Sequence, residues 1–357
     1  MEGIIGLLGN LLPFFLILMV LVVVHELGHF ITAKLAGVTV QEFGFGYPPR
    51  LFAVKFKGTD YSLNLLPLGG FVKLLGEEDP AETGSLAGKG VGTRLIILGA
   101  GSFMNAMLPI VLLTASYMMV RETVAGPVYI QAVAPGSPAE AAGMQEGDVI
   151  LGINDRKIES IQDVGYNIQL NLGSPIAVTL KRSDQTKEVN VVPRWNPPRG
   201  QGATGITIGM PDREARTVTL SPLEALGTGI RRSFDMLTLF KNGMVSMVVA
   251  RSGPSVTGPI GIAQATAEVA QAGVSPLLEW TALLSMNLAF FNILPIPMLD
   301  GGRMFFVLLE WVRRGRRVSP EREGLVHLIG FVILMAFILL VSFQDIQRLI
   351  KGESLFR

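Results

Sequence analysis

Residues 22–31 read VVVHELGHFI, and this stretch decides how the chain folds. It closes a run, Gly3 to Val24, in which the only polar side chain is Asn10. His25, Glu26 and His29 then follow. A bilayer core of about 30 Å is crossed by about 20 apolar residues in a helix, so three ionisable groups sit where lipid is expected. Each costs about 2.5–3.5 kcal/mol even on the gentler insertion scale, and such groups are kept mainly for function.

The rest of the composition agrees with a membrane chain. Of 357 residues 49% are apolar and 17% charged, and the net charge is +1. The mean hydropathy is positive, +0.45. No basic face suited to nucleic acid is expected from so balanced a chain. Cysteine is absent, which excludes disulfides and thiolate metal sites, and two of the three histidines lie in the opening stretch. Four runs are long and apolar enough to span, roughly Leu8–Leu35, Leu95–Val120, Leu277–Leu299 and Leu325–Phe343. The first lacks a basic flank and a following small-residue cleavage site, so it reads as a span and not a signal peptide. Arg303, Arg313, Arg314, Arg316, Arg317 and Arg322 make the third–fourth connection the most basic segment. Arg50, Lys55, Lys57, Lys73, Lys89 and Arg94 mark the first–second connection in the same way. Both therefore read as cytoplasmic, with both termini and residues 121–276 on the other side.

Between the spans lie two folded segments. Val54–Phe56 and Tyr61–Leu66 alternate around Lys57-Gly58-Thr59, and FVKLL after Gly69-Gly70 reads as a further short strand. These predict a small sheet near the membrane, followed by an irregular loop over 77–93. Residues 126–195 hold strands, a turn at Pro135-Gly136-Ser137 and a short helix from Pro138. The stretch GSPAEAAGMQEGDVILGIN resembles a PDZ domain, a module that takes peptides by strand addition. No glycine-rich carboxylate loop precedes Val128, so capture of a free chain end is not expected. Leu223, Leu226, Ile230, Phe234, Leu237, Phe240, Met244 and Val248 share one helical face, which predicts a helix on the membrane surface or packed on the spans.

The opening triplet carries the chemistry. In a helix His25 and His29 point the same way and can grip one metal ion. Glu26 lies beside them. This is the H-E-x-x-H spacing of zinc proteases, in which zinc acidifies a water to a pKa of about 7 and the glutamate is the general base. A catalytic zinc takes three protein ligands. Asp300, after a helix broken by Pro295 and Pro297, is the natural acidic candidate for the third; the alternative is that it caps the following helix.

HELGH, GGFVKLLGEE, the PDZ-like part, GPIGIA (258–263) and NILPIPMLDGG (292–302) occur in the order found in bacterial site-two proteases. The chain resembles a single-PDZ member of that family over nearly its whole length. The resemblance implies one zinc ion per chain on His25, His29 and Asp300, with Glu26 as general base. It implies that Asn292 holds the substrate backbone or the oxyanion, and that Gly70, Phe71, Val72, Lys73 and Leu74 belong to a strand that pairs with the substrate. The second span reads GAGSFMN where the family usually has Gly-Pro before its asparagine, so Asn105 is an imperfect counterpart.

The expected protein is thus a polytopic α-helical membrane protein with about four transmembrane helices, a small membrane-associated β-sheet and an inserted PDZ-like, mixed α/β domain. Its parts are a first span with the zinc motif (1–36), the sheet and cytoplasmic loop (37–93), a second span (94–121), the PDZ-like domain (122–197), a linker and amphipathic helix (198–275), a third span with NILPIPMLDGG (276–302), a basic cytoplasmic loop (303–324), and a fourth span with its tail (325–357). It is expected in the bacterial cytoplasmic (inner) membrane. It would cut single-span membrane proteins, such as anti-sigma factors or remnant signal peptides, after another protease has trimmed them. The competing reading is a non-catalytic PDZ scaffold or sensor; a metal transporter would show repeated halves, and none is evident.

Overall fold

A computed structural model describes residues 2–77, 82–250 and 257–351. The chain divides into two compact units, one formed by 1–116 with 256–357 and the other by 117–255. Among the described residues, four helices contain stretches long and apolar enough to cross a membrane: Leu11–Leu35, Val91–Met118, Val274–Ile293 and Pro320–Arg348.

The first unit opens with α1, Glu2–Leu35. It ends where Gly37 adopts a left-handed φ of +66° and Val38 N–H returns to the Ala33 carbonyl, a glycine stop that spares a Cβ clash. Strands β1 (Val40–Phe56) and β2 (Thr59–Leu74) follow. FVKLL is not a separate strand: its first four residues form the end of β2. Phe43 lies opposite both Tyr61 and Val72, and Gly44 opposite both Ser62 and Phe71, so residues 42–45 lie between two runs of the same strand. Helix α2 is Val91–Met118. Within the predicted loop 77–93, residues 78–81 lie outside the described part.

The second unit holds β3 (Arg121–Ala125), β4 (Val128–Val133), α3 (Pro138–Ala141), β5 (Val149–Ile153), β6 (Arg156–Lys157), α4 (Ile161–Leu170), β7 (Ile176–Arg182), β8 (Gln185–Val191), β9 (Ile206–Gly209), β10 (Glu214–Val218) and α5 (Pro222–Ala250). One sheet runs β8-β7-β5-β4-β9 with β6 on β5, and β3 pairs separately with β10. Alternation supplies the core: Val128, Ile130, Ile150, Ile153, Ile176, Val178 and Leu180 are all buried. The expected boundary at 197 is too early, because β9 closes an edge of this sheet from 206–209; four residues are too few for alternation to stand out. Helix α5 turns its polar side inward. Asp235 takes two bonds from Arg156, at 2.7 and 2.8 Å, and one from Tyr166. Asn242 caps the Gln169 and Leu170 carbonyls at the end of α4. Its expected apolar face, including Leu223, Phe234 and Val248, is exposed.

The first unit resumes, after undescribed residues 251–256, with α6 (Pro259–Gln271), α7 (Val274–Ile293), α8 (Asp300–Val312) and α9 (Pro320–Ile350). Three expectations are corrected here. GPIGIA is not linker but the start of a helix, with Pro259 at a first-turn position and Gly261, Ala263 and Ala265 buried. The third span stops at Ile293 and not at 299 or 302, because Pro295 and Pro297 supply no N–H and exclude helix before them. Residues 303–324 are not a loop: α8 occupies 300–312 and α9 begins at Pro320. Its arginines concealed the helical spacing of Met304, Val307 and Leu308.

In the second unit the buried Asp148 accepts from Arg182 Nε at 2.7 Å and from its Nη2 at 2.8 Å. That guanidinium holds the Asp148 carboxyl below its ordinary value. A depressed carboxyl contributes stability that is present above the unfolded pKa, about 3.9, and lost as pH falls through the folded value. With Trp280 and Trp311 replaced by Phe, the urea midpoint read by Trp195 fluorescence should fall on acidification in the full chain and fall less, or rise, in Arg182→Met. An equal fall in both would show that the pair does not set the pH response.

Candidate metal centre

Helix α1 brings His25 and His29 to one face, both buried. Their Nε2 atoms are 3.2 Å apart. Asp300, the first residue of α8, points Oδ2 at both, 3.0 Å from His25 Nε2 and 3.3 Å from His29 Nε2. It does not cap its helix by a side-chain bond, since the capping position is Leu299. This oxygen is buried and takes no well-aligned hydrogen bond.

The far sides of the rings orient these atoms. His29 Nδ1 donates to the Ile97 carbonyl of α2 at 2.7 Å. A carbonyl only accepts, so Nδ1 carries the proton and Nε2 presents a lone pair. His25 Nδ1 lies 3.4 Å from the Asn105 amide nitrogen, while the Asn105 Oδ1 is buried without a partner. Turning the amide over satisfies both: Oδ1 accepts the His25 Nδ1 proton and His25 Nε2 likewise presents a lone pair. Three lone pairs then converge. Tetrahedral bonds of about 2.0 Å separate their donors by about 3.3 Å, which matches the three spacings. His25, His29 and Asp300 could hold one divalent cation, and they are the cluster with that property among the described residues.

Glu26 stands outside the cluster. Its carboxylate lies near the Val72 backbone, and a Cβ added to Gly70 would stand 3.3 Å from Glu26 Cγ and 3.0 Å from Val22 Cγ1. The missing side chain at Gly70 lets β2 approach α1. Of the other expected strand residues, Phe71 lies over Gly44, Lys73 is exposed, and Leu74 joins the core of Ala33, Val38, Val40, Leu86, Ile97, Leu98 and Val307. That core ties β2 to α1, α2 and α8. Asn292 is buried in the last turn of α7. His327 is not part of the cluster; its Nδ1 accepts from Met298 N–H at 2.8 Å, holding the non-helical link that delivers Asp300.

Close helix approach was not anticipated. A Cβ on Gly28 would meet the Ala100 backbone carbon at 2.7 Å, and one on Gly101 would meet His25 Cε1 at 2.6 Å. The small residues of GAGS, 99–102, carry that signal in retrospect, since small residues let membrane helices touch.

Three convergent donors on apolar helices thus form a site that could hold one metal ion. The comparisons give the family. The model of peptidase family M50 matches residues 13–337. A protein of Clostridium perfringens is 35% identical over 336 residues, 91% of this chain and 95% of its own. The zinc metalloprotease RasP of Oceanobacillus iheyensis is 30% identical over 429 aligned residues, 95% of this chain and 99% of its own. A solved PDZ domain of an SdrC-like protein from Listeria monocytogenes covers 24% of this chain and 90% of its own, at 24% identity and a TM-score of 0.21; so low a score defines no fold for the segment. The chain belongs to peptidase family M50, the site-two proteases, and is a multi-pass membrane metalloprotease that uses zinc.

Gly101→Ala should weaken zinc binding by about 10–100-fold, the usual cost of disturbing the groups behind metal ligands. Gly99→Ala is the control, because its Cβ would meet only Met304 at 3.6 Å. Equal zinc affinity in the two variants, measured by competition with a chelator, would refute the tight fit at Gly101.

Proposed function

We propose that this metalloprotease is an endopeptidase that hydrolyses bonds within or near the transmembrane segment of single-span proteins. His25, His29 and Asp300 hold one zinc per chain. The observation that carries this is the set of three donors at 3.0–3.3 Å, two from the apolar helix α1 and one from the start of α8, with Glu26 alongside. When bound, zinc supplies Lewis acidity and lowers the pKa of a water.

Glu26 takes the proton from the attacking water and passes it to the leaving nitrogen. A helical substrate hides its peptide groups in its own hydrogen bonds, and in lipid the freed groups need partners. Residues 70–74 of β2 offer them by strand addition beside Glu26, and Asn292 donates to the oxyanion or to the substrate backbone. Asn105 and the Ile97 carbonyl keep the two imidazoles in the ligating tautomer.

We place the chain in the cytoplasmic membrane of a bacterium, and the basic connections favour residues 122–197 and both termini outside. We read the outer segment as a PDZ-like filter that holds back substrates until another protease has removed their bulk. Anti-sigma factors and remnant signal peptides are substrates of suitable form.

Glu26→Gln should keep zinc and lower turnover by about 10²–10⁴-fold, the usual weight of a general base. Asp300→Asn should lose zinc and turnover together. Near-normal cleavage by the glutamine variant, or unchanged zinc and turnover in the asparagine variant, would remove the respective assignment.

Glu214 pairs with Ala125, so the sheet between them can be replaced by a short turn. That deletion should admit untrimmed substrates while trimmed ones are still cut. If the trimmed substrate is cleaved and the untrimmed one still refused, the filter is not in this segment.

A further inference from the structure

Helix α8 starts at Asp300 and ends at Val312, where the chain reads WVRRGRR over residues 311–317. One side of it is fastened to the protein. Val307 and Glu310 are buried, and Glu310 pairs with Arg94 at 2.5 Å and with Arg317 at 3.1 Å. Arg317 also donates to the Ala87 carbonyl at 2.6 Å. The other side is apolar and uncovered: Phe305, Leu308, Trp311 and Val312 are 50, 42, 67 and 71% exposed. Three of these, Phe305, Leu308 and Val312, fall on one stripe by helical spacing, and Trp311 flanks it. Directly after the stripe come Arg313, Arg314 and Arg316, all exposed, with no acidic residue between Trp311 and Pro320.

The order of these groups along the helix is that of an element lying in a membrane interface. An apolar stripe enters the acyl boundary, a tryptophan sits at the headgroups and basic residues face outward. The apolar and little-buried α9, long enough to span, begins eight residues after the helix ends, so a bilayer that holds α9 lies close to the stripe. Three guanidiniums in four positions complement phosphate, and clustered arginines beside a span attract anionic lipid.

We infer that α8 and the 313–316 arginines form a binding surface for anionic phospholipid. The leaflet then holds the helix that begins with Asp300, so lipid charge bears on how that residue is presented. This goes beyond the proteolytic reading and does not depend on it.

The test uses the full chain in proteoliposomes, with Trp195 and Trp280 changed to Phe so that Trp311 reports alone. Lipids brominated near the top of the acyl chains are supplied either as phosphatidylglycerol or as phosphatidylcholine. Trp311 should be quenched by both, with a relative affinity for the anionic lipid higher by at least about fivefold, the effect of one arginine at such a surface. Arg313→Gln, Arg314→Gln and Arg316→Gln together should remove that preference while quenching by phosphatidylcholine persists. No quenching by either lipid would overturn the interfacial placement. Equal quenching in the parent chain, or a preference that survives the triple change, would overturn the anionic site.

Discussion

Three electron-pair donors, His25 Nε2, His29 Nε2 and Asp300 Oδ2, face one another at 3.0–3.3 Å in a bundle of apolar helices. Such an arrangement is repulsive by itself and costly in lipid; a divalent cation at its centre turns the repulsion into coordination. Much of the first unit serves that convergence. Two donors come from successive turns of one helix, which fixes their spacing locally. The third arrives from 271 residues further on, so its position depends on everything that holds α8 against α1 and α2.

Two devices achieve this. The first is close approach: Gly28 and Gly101 remove the side chains that would keep α1 and α2 apart, so that the Ile97 carbonyl and Asn105 reach the outer nitrogens of the rings. The second is interruption: Pro295 and Pro297 end α7, and the chain restarts as α8 with Asp300 at its first helical position. Met298 in the link has a left-handed φ of +79° and is held by His327 from α9. Its neighbour Pro297 packs against Gly330, one turn further along the same face. The strand next to Glu26 is fixed by the same economy of side chains at Gly70.

What could be read from the sequence follows the range of the interactions. The i, i+4 histidines and their glutamate are a local pattern, and the four apolar runs are local too. Asp300 was legible because prolines break a span just before it. The extent of α8 was not, since its arginines suggested a loop, and α6 was hidden because GPIGIA has the composition of a turn. The tie between 206–209 and the sheet of the second unit depends on a pairing with residues far back in the chain. Gly28 and Gly101 could be seen as small residues, but only packing says what they make room for.

The central claim is that the three donors hold one zinc ion. X-ray absorption at the zinc edge on the purified, membrane-reconstituted chain tests it most directly. The account predicts a nitrogen and oxygen shell at about 2.0–2.1 Å with the outer-shell signature of two imidazoles, reduced to one imidazole in His29→Ala. A shell without imidazole, or two imidazoles persisting in that variant, would contradict it.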